Sequence, residues 1–274
     1  MAQPSRFSVV TPSFGQLDWL ELCVASVADQ SDVAHVEHIV CDAGSPGIEE
    51  FSRTMRSRFP DSEHYSLRFL IGPDRGMYDA INKGLRLAKG DICSYLNCDE
   101  QLLPNALKDA GDFFGREAEI DVVFGDSVVV DSGGEALCYW RPYVPSLAHL
   151  AGATLNTLSC STFFRQRIVQ SGHIFESQWK VVGDLIWIRG LLKKRRPMAC
   201  LHRPMAAFTF LGDNLGASAK AHEEFKMSYQ RPFAGRLLVW TGGMGVSPVQ
   251  SERKRAGRPF PLIWRTSKSM GTLV

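Results

Sequence analysis

Residues 95–100, YLNCDE, set two carboxylates, Asp99 and Glu100, side by side where a short apolar run stops. Adjacent negative charges repel, so a fold that keeps them together offsets the repulsion with a cation, a hydrogen-bond cage or exposure to water. Ahead of LPNALKDA the pair also reads as acids at a helix start, where carboxylates are favoured. Asp184 stands among apolar residues in VVGDLIWIRGLL. An unpaired carboxylate there is costly to bury and has its pKa raised, which suits a group that takes up a proton; its plain reading is the N-cap of a helix starting at Leu185. Thr11, Pro12 and Ser13 close the run RFSVVTPS, Asp42 ends HIVC, and Asp74 with Arg75 follows LRFLIGP. The plain readings are a proline turn, an Asx-turn at DAGS, and a surface pair of Arg75 with Asp74 or Asp79.

All but Asp184 stand at the ends of predicted strands. RFSVVTPS is a β-branched run, and LDWLELCVASVADQ repeats apolar residues at helical spacing. HVEHIVCDAG is a second strand followed by the helical IEEFSRTMRSRF, and LRFLIGPD is a third, broken by Gly72 and Pro73. MYDAINKGLRLAKG reads as a helix stopped at Gly90, and DICSYLNCDE as a fourth strand. Four strands alternating with three helices imply an α/β fold with a mainly parallel central sheet. Such sheets bind ligands in the crevice beyond the carboxyl ends of their strands. The strand-exit residues named above are therefore expected to line one crevice.

In the second half, VVFGDSVVVDSGG reads as strand, turn and strand, and residues 141–158 as a loop or lid. STFFRQRIVQSGHIF and VGDLIWIRGLLKK carry helical patterns, and MAAFTFLGDNLGAS is a strand running into a Gly-rich loop. No repeat or low-complexity tract interrupts the chain.

At 274 residues, 45% hydrophobic and 22% charged, the composition is that of a globular protein able to bury a sizeable core. A net charge of +2 does not argue for nucleic acid. Basic residues cluster at Lys193, Lys194, Arg195 and Arg196, and at Arg253, Lys254, Arg255 and Arg258. These read as a solvated face and a basic tail, or as a peripheral contact with anionic lipid. Seven scattered cysteines without a CxxC pair suit reduced thiols. MAQPSRFSVV lacks a signal-peptide h-region, which predicts a cytoplasmic protein, peripheral at most on the inner face of a membrane.

VVTPSFGQ, IVCDAGSPG, PDRGMYDAINKGLRLAKGDI, LNCDE, STFFRQ, GHIF and GDLIWIRGLL together resemble the family 2 inverting glycosyltransferases, especially bacterial members that build polysaccharides. The resemblance covers roughly residues 5–218 and implies the GT-A nucleotide-diphospho-sugar transferase fold. It divides the chain into a nucleotide-sugar-binding half (1–130), an acceptor-binding half (131–218) and a C-terminal extension (219–274). By the same resemblance Thr11, Pro12, Ser13, Asp42, Asp74, Arg75, Asn97 and Cys98 bind the nucleotide, with Asp42 accepting from the uracil imide. Asp99 and Glu100 hold Mg²⁺ or Mn²⁺ against the diphosphate, and Asp184 takes the proton of an acceptor hydroxyl. Phe210 to Ser218 match a loop over the pyrophosphate. The implied partners are a nucleotide-diphospho-sugar, UDP being expected, and a glycan or lipid-linked saccharide acceptor. The first Asp of the family's DxD segment is Asn97 here, and a commonly found His is Ser159, which keeps a non-catalytic nucleotide-sugar-binding protein as the rival reading. A nucleotidyltransferase needs a Gly-rich, basic first loop, which TPSFGQLDW is not.

Overall fold

A computed structural model of the protein describes residues 5–152, 155–212 and 218–228. The β-branched run forms β1 (Arg6–Ser13), and the segments after it alternate as expected: α1 (Leu17–Ala28), β2 (His35–Asp42), α2 (Ile48–Arg58), β3 (Tyr65–Ile71), α3 (Met77–Leu87) and β4 (Ile92–Tyr95). β1 pairs in parallel with β2 on one side and β4 on the other, and β2 pairs in parallel with β3. The period of two along β1 sends Phe7 and Val9 into one apolar layer, with α1, α2 and later helix residues, and Val10 into the opposite layer with α3. Covering both faces is what buries β1 and β4 almost throughout, while β3, at the sheet edge, alternates buried and part-exposed residues.

Two close approaches hold this half together. A side chain at Gly84 would meet Val10 Cγ1 at 2.4 Å, so α3 rests directly on β1. At Gly90 an added Cβ would fall 2.5 Å from the backbone of Phe7 and Ser8, and the Gly90 N–H donates to Ser8 Oγ at 2.8 Å. Backbone cannot step aside as a side-chain tip can. Gly90→Ala is therefore expected to destabilise the fold by about 3 kcal/mol, at the upper end of overpacking costs. A urea midpoint unchanged from the parent would refute that.

The chain continues through β5 (Gln101–Leu102), α4 (Ala106–Arg116), β6 (Val122–Val130), β7 (Ala136–Trp140), α5 (Leu147–Gly152), β8 (Thr162–Arg165), α6 (Gln166–Gln170), α7 (Gly183–Lys193), β9 (Met198–Thr209) and α8 (Ala219–Ser228). One sheet runs β3-β2-β1-β4-β8-β6-β9-β5, with β7 paired to β6. β8 is antiparallel to β4 and β6, and β5 to β9, while β6 and β9 are parallel. The parallel half is as expected; the second half makes the whole sheet mixed.

Three local expectations change. VVFGDSVVV is one strand through Gly125, because the missing side chain makes room for Met205, whose Cγ would lie 2.1 Å from an added Cβ. STFFR is strand rather than helix, since Phe163 and Phe164, both buried, pack on opposite faces between β4 and β6. The segment 141–158 contains the short helix α5. The basic tail and residues 213–217 of the Gly-rich loop lie outside the described residues. Among the described residues no helix is long and apolar enough to cross a membrane, and all seven cysteines are free.

Candidate active site

The carboxyl ends of β1 to β4 form one rim, and their exits are stitched together. Ser13 and Asp42 are register partners, the Ala43 N–H donates to Ser13 O at 3.1 Å, and the Gly72 N–H donates to Asp42 O at 2.9 Å. Asp42 is 1% exposed and closes its own Asx-turn. Its Oδ1 accepts from the N–H groups of Gly44 (2.9 Å) and Ser45 (2.6 Å), and its Oδ2 accepts from Ser45 Oγ (2.8 Å). Ser45 Oγ in turn accepts the Gly15 N–H at 2.7 Å, so the loops after β1 and β2 are bonded to each other.

Of the first-strand residues, Thr11 turns its hydroxyl away from the rim. Thr11 Oγ1 lies 2.9 Å from His38 Nε2 and 3.5 Å from Cys23 Sγ, within the core, where burial lowers the His38 pKa to about 3. What Thr11 can offer a ligand is backbone. Pro12 is buried beside it, and Ser13 Oγ is buried without a hydrogen-bond partner. At the third exit, Asp74 Oδ1 accepts the Gly76 N–H (2.7 Å), and Arg75 pairs with Asp79 through Nη2–Oδ1 at 2.8 Å rather than with Asp74. That guanidinium remains largely exposed.

The two adjacent carboxylates at the fourth exit have separate environments. Glu100 is 1% exposed: its Oε2 accepts the Asn97 N–H (2.8 Å) and its Oε1 accepts from Ser159 Oγ (3.2 Å). Burial, with the neighbouring Asp99 charge, pushes its carboxyl up to about 8. The Glu100 side chain thus anchors the turn to the segment before β8. Asp99 has no side-chain hydrogen bond to another residue among those described, and burial raises its pKa. The helix-cap reading fails because β5 intervenes and α4 starts only at Ala106, after Asn105. Cys98 Sγ donates to Gln16 Oε1 at 3.0 Å, bracing the turn on the loop before α1.

A divalent cation of the Mg²⁺ or Mn²⁺ kind takes hard oxygen donors and keeps positions for phosphate and water. The Asp99 carboxylate and Asn97 Oδ1, which is buried without a partner, are two such donors on one turn. The residues present fit that ion, although no cluster of three or more His, Cys, Asp or Glu side chains occurs among the described residues.

Asp184 is the second residue of α7; the N-cap is Val182 and makes no side-chain cap. The Asp184 Oδ1 accepts the Leu185 N–H at 2.7 Å, and burial raises its carboxyl to about 6. It faces a small cavity with Thr157, Ser159 and Thr162, closed by Tyr95, Leu155, Trp187 and Ile188. Thr157 Oγ1 is buried without a partner there.

Two buried side chains record how the separate segments converge. Burial pushes the Cys98 thiol up to about 12, with the charges of Asp99, Glu100 and Asp42 adding to it. Burial likewise raises Tyr95, reinforced by Tyr78, Asp184 and Glu100. The turn at residues 97–100 is therefore within electrostatic reach of both the Asp42 loop and Asp184. Nearby aromatic and imidazole groups are held by bonds of their own: Trp187 Nε1 donates to His173 O, Trp179 Nε1 to Glu176 Oε2, and His202 Nδ1 lies 3.2 Å from Asp126 Oδ1.

With this arrangement in view, the family model for glycosyl transferase family 2 matches residues 8–170. The chain belongs to that family. An uncharacterized glycosyltransferase of Mycobacterium tuberculosis is 29% identical over 126 residues, 46% of each chain. A PGL/p-HBAD biosynthesis glycosyltransferase of Mycobacterium bovis is 28% identical over 130 residues, covering 47% of this chain and 49% of that protein. The chain spans about half the length of these curated relatives. Among solved structures, TarS of S. aureus in complex with UDP-GlcNAc superposes with TM-score 0.61 at 17% identity, over 78% of this chain and 61% of that one. The mannosyltransferase PcManGT of Pyrobaculum calidifontis, in complex with GDP-Man and Mn²⁺, gives 0.58 at 15% identity, over 78% and 59%. These likenesses establish the GT-A fold for this family 2 chain.

Four residues that bond to the loops of the candidate site were not singled out from the sequence: Ser45, Tyr78, Lys180 and Glu224. The Lys180 ammonium contacts the Arg75 carbonyl, tying the third exit to the segment before α7. Nothing in the local sequence marks such partners, which come from distant elements.

Proposed function

We propose that the protein moves a glycosyl group from a nucleoside-diphospho-sugar, with UDP as the nucleotide, to a hydroxyl of a glycan or lipid-linked saccharide, by one displacement that inverts the anomeric centre. The observation that carries this is the Asp184 carboxyl, raised to about 6 and facing a cavity whose Ser159 hydroxyl is bonded to the turn bearing Asp99. A carboxylate with that pKa is largely ionised at neutral pH and basic enough to receive the proton an acceptor hydroxyl sheds as it attacks. Asp99 and Asn97 Oδ1 would hold the divalent cation. When bound, that ion supplies Lewis-acid stabilisation of the charge growing on the diphosphate. Asp42, through its remaining lone pair on Oδ2, the Ser13 hydroxyl and the backbone from Thr11 to Ser13 shape the base and ribose end. The peripheral, cytoplasmic setting and the lipid-linked acceptor belong to this same reading, supported by the free cysteines and by the PGL/p-HBAD biosynthesis glycosyltransferase of M. bovis among the relatives.

The test is a panel of UDP- and GDP-sugars with and without Mg²⁺ or Mn²⁺, followed by melting temperature and by release of nucleotide. A metal-dependent rise in melting point with one UDP-sugar, and UDP release from it, is the expected result. Tight UDP binding with neither transfer nor slow hydrolysis of any donor would make the protein a binding module instead.

A further inference from the structure

The helix that carries Asp184 begins without a cap of its own, and the first N–H groups of any helix need partners. The Asp184 N–H finds its partner on α3, and the three residues leading into the helix find theirs on α8, both far away in sequence. Glu224, on α8 and 5% exposed, accepts the Lys180 N–H (2.9 Å), the Val181 N–H (2.8 Å) and the Val182 N–H (3.2 Å) with its two carboxylate oxygens. Tyr78, on α3 and 2% exposed, accepts the Asp184 N–H at 3.1 Å and donates its own proton to Val181 O at 3.0 Å. The aromatic ring of Tyr78 lies directly on Gly183, where a Cβ would meet Cε2 at 2.5 Å. It stacks on Phe175 at 5.3 Å, and Phe175 stacks on Trp187 of α7 at 5.0 Å. α8 is held in turn by Arg189 Nη1 donating to Ser228 O at 3.1 Å.

From this geometry we infer that Tyr78 and Glu224 are positioning residues that jointly set where Asp184 stands, so that the chain beyond the family-matched region completes the catalytic machinery. The inference rests on Asp184 being the base. Between them the two side chains engage four backbone N–H groups and one carbonyl within five consecutive residues. A negative carboxylate at the start of α7 is also favoured by the helix dipole and by charge-assisted hydrogen bonding. Neither group touches the crevice rim formed by Ser13, Asp42 and Asp99 in any hydrogen bond among the described residues. Their loss should therefore displace the base with little effect on donor recognition, which they reach only indirectly, through Lys180 and its contact with the Arg75 carbonyl. A displacement on the order of 1 Å suffices for a loss of about 100-fold in rate.

The experiment uses the full chain, Mg²⁺, and whichever UDP-sugar the parent turns over fastest, with UDP release as the signal. Tyr78→Phe removes one hydroxyl and keeps the ring stack; Glu224→Gln keeps shape and one acceptor oxygen; Glu224→Ala removes both. Turnover is expected to fall about 10- to 100-fold in Tyr78→Phe and Glu224→Ala, with donor KM within about twofold of the parent and partial recovery in Glu224→Gln. Amide hydrogen exchange over residues 180–185 should quicken in the same variants while exchange in β1 and β4 is unchanged, which separates displacement from unfolding. Parental turnover in Tyr78→Phe and Glu224→Ala, alongside an inactive Asp184→Asn, would overturn the positioning role alone. Parental turnover in Asp184→Asn would overturn the base assignment, and this inference with it.

Discussion

Asp184→Asn is expected to abolish transfer, lowering turnover by about 10³-fold or more, while leaving UDP affinity and the fold intact and raising the melting temperature. The amide is nearly isosteric and can still accept the Leu185 N–H that Oδ1 accepts at 2.7 Å, so α7 keeps its first turn. It cannot take up a proton, and general-base catalysis at such a position contributes about 10²–10⁴-fold. The stability change has the opposite sign. Asp184 has its pKa raised from 3.8 to about 6, chiefly by burial, so the folded state holds its proton more tightly than the unfolded chain does. The stabilisation from that proton is fully present below about pH 4 and is lost as pH rises through 6; at neutral pH the ionised carboxylate is a net cost. The shift from 3.8 to about 6 corresponds to at most ~3 kcal/mol. Because Asp184 keeps a partial opening to solvent, about 1–2 kcal/mol is the expected gain in the asparagine variant. For a chain of this size that is about 2–8 °C. In the parent, activity should decline on the acid side of about pH 6 as the base protonates. An asparagine variant as active as the parent, or a parental rate flat from pH 7 to pH 4.5, would remove Asp184 from the mechanism.

The second large effect is expected at Asp99 and not at its neighbour. Asp99→Ala deletes a carboxylate that makes no side-chain bond to another described residue, so little packing is lost. It also removes the charged donor of the proposed cation site, and turnover should fall on the order of 10²–10³-fold with Mn²⁺-dependent UDP binding weakened at least 10-fold. Glu100→Gln is the contrasting variant. The Glu100 carboxyl is spent on the Asn97 N–H and the Ser159 hydroxyl, and an amide can serve both, so its metal response should remain parental. Calorimetric titration of Mn²⁺ and UDP into the three proteins checks both statements. If Asp99→Ala kept the parent's Mn²⁺ dependence while Glu100→Gln lost it, the assignment of the two carboxylates would be reversed.

The same pair shows where sequence reading stops. That two acids leave a fourth strand at the functional rim of a parallel sheet follows from local signals: β-branched runs, helical periodicity, and Gly or Pro at the breaks. Those signals act within a few residues of each other, which is why β1 to β4 and α1 to α3 appear where periodicity puts them. The Asx-turn at Asp42 is equally local, its bonds spanning two and three residues. Arg75 pairs with Asp79 four residues on, one of the two partners its sequence offered.

What the chain alone determined, then, is the strand–helix order, the placing of Asp42, Asp74 and Asp99 at strand exits, and the burial of Asp184 in an apolar helix. The tertiary structure decided everything that depends on contacts between segments far apart: that Phe163 and Phe164 pair as strand between β4 and β6, that Gly125 makes room for Met205 instead of breaking β6, and that the Thr11 hydroxyl turns toward His38. It also decided that Glu100 bonds Ser159 while the Asp99 side chain has no hydrogen bond to another residue among those described, and that Tyr78 and Glu224 hold the backbone around Asp184. The physical reason is one of range. A backbone preference of a few tenths of a kcal/mol per residue is outweighed wherever burying a side chain, or satisfying a buried polar group, is worth about 1–3 kcal/mol, and the partners that supply that energy are not neighbours in sequence.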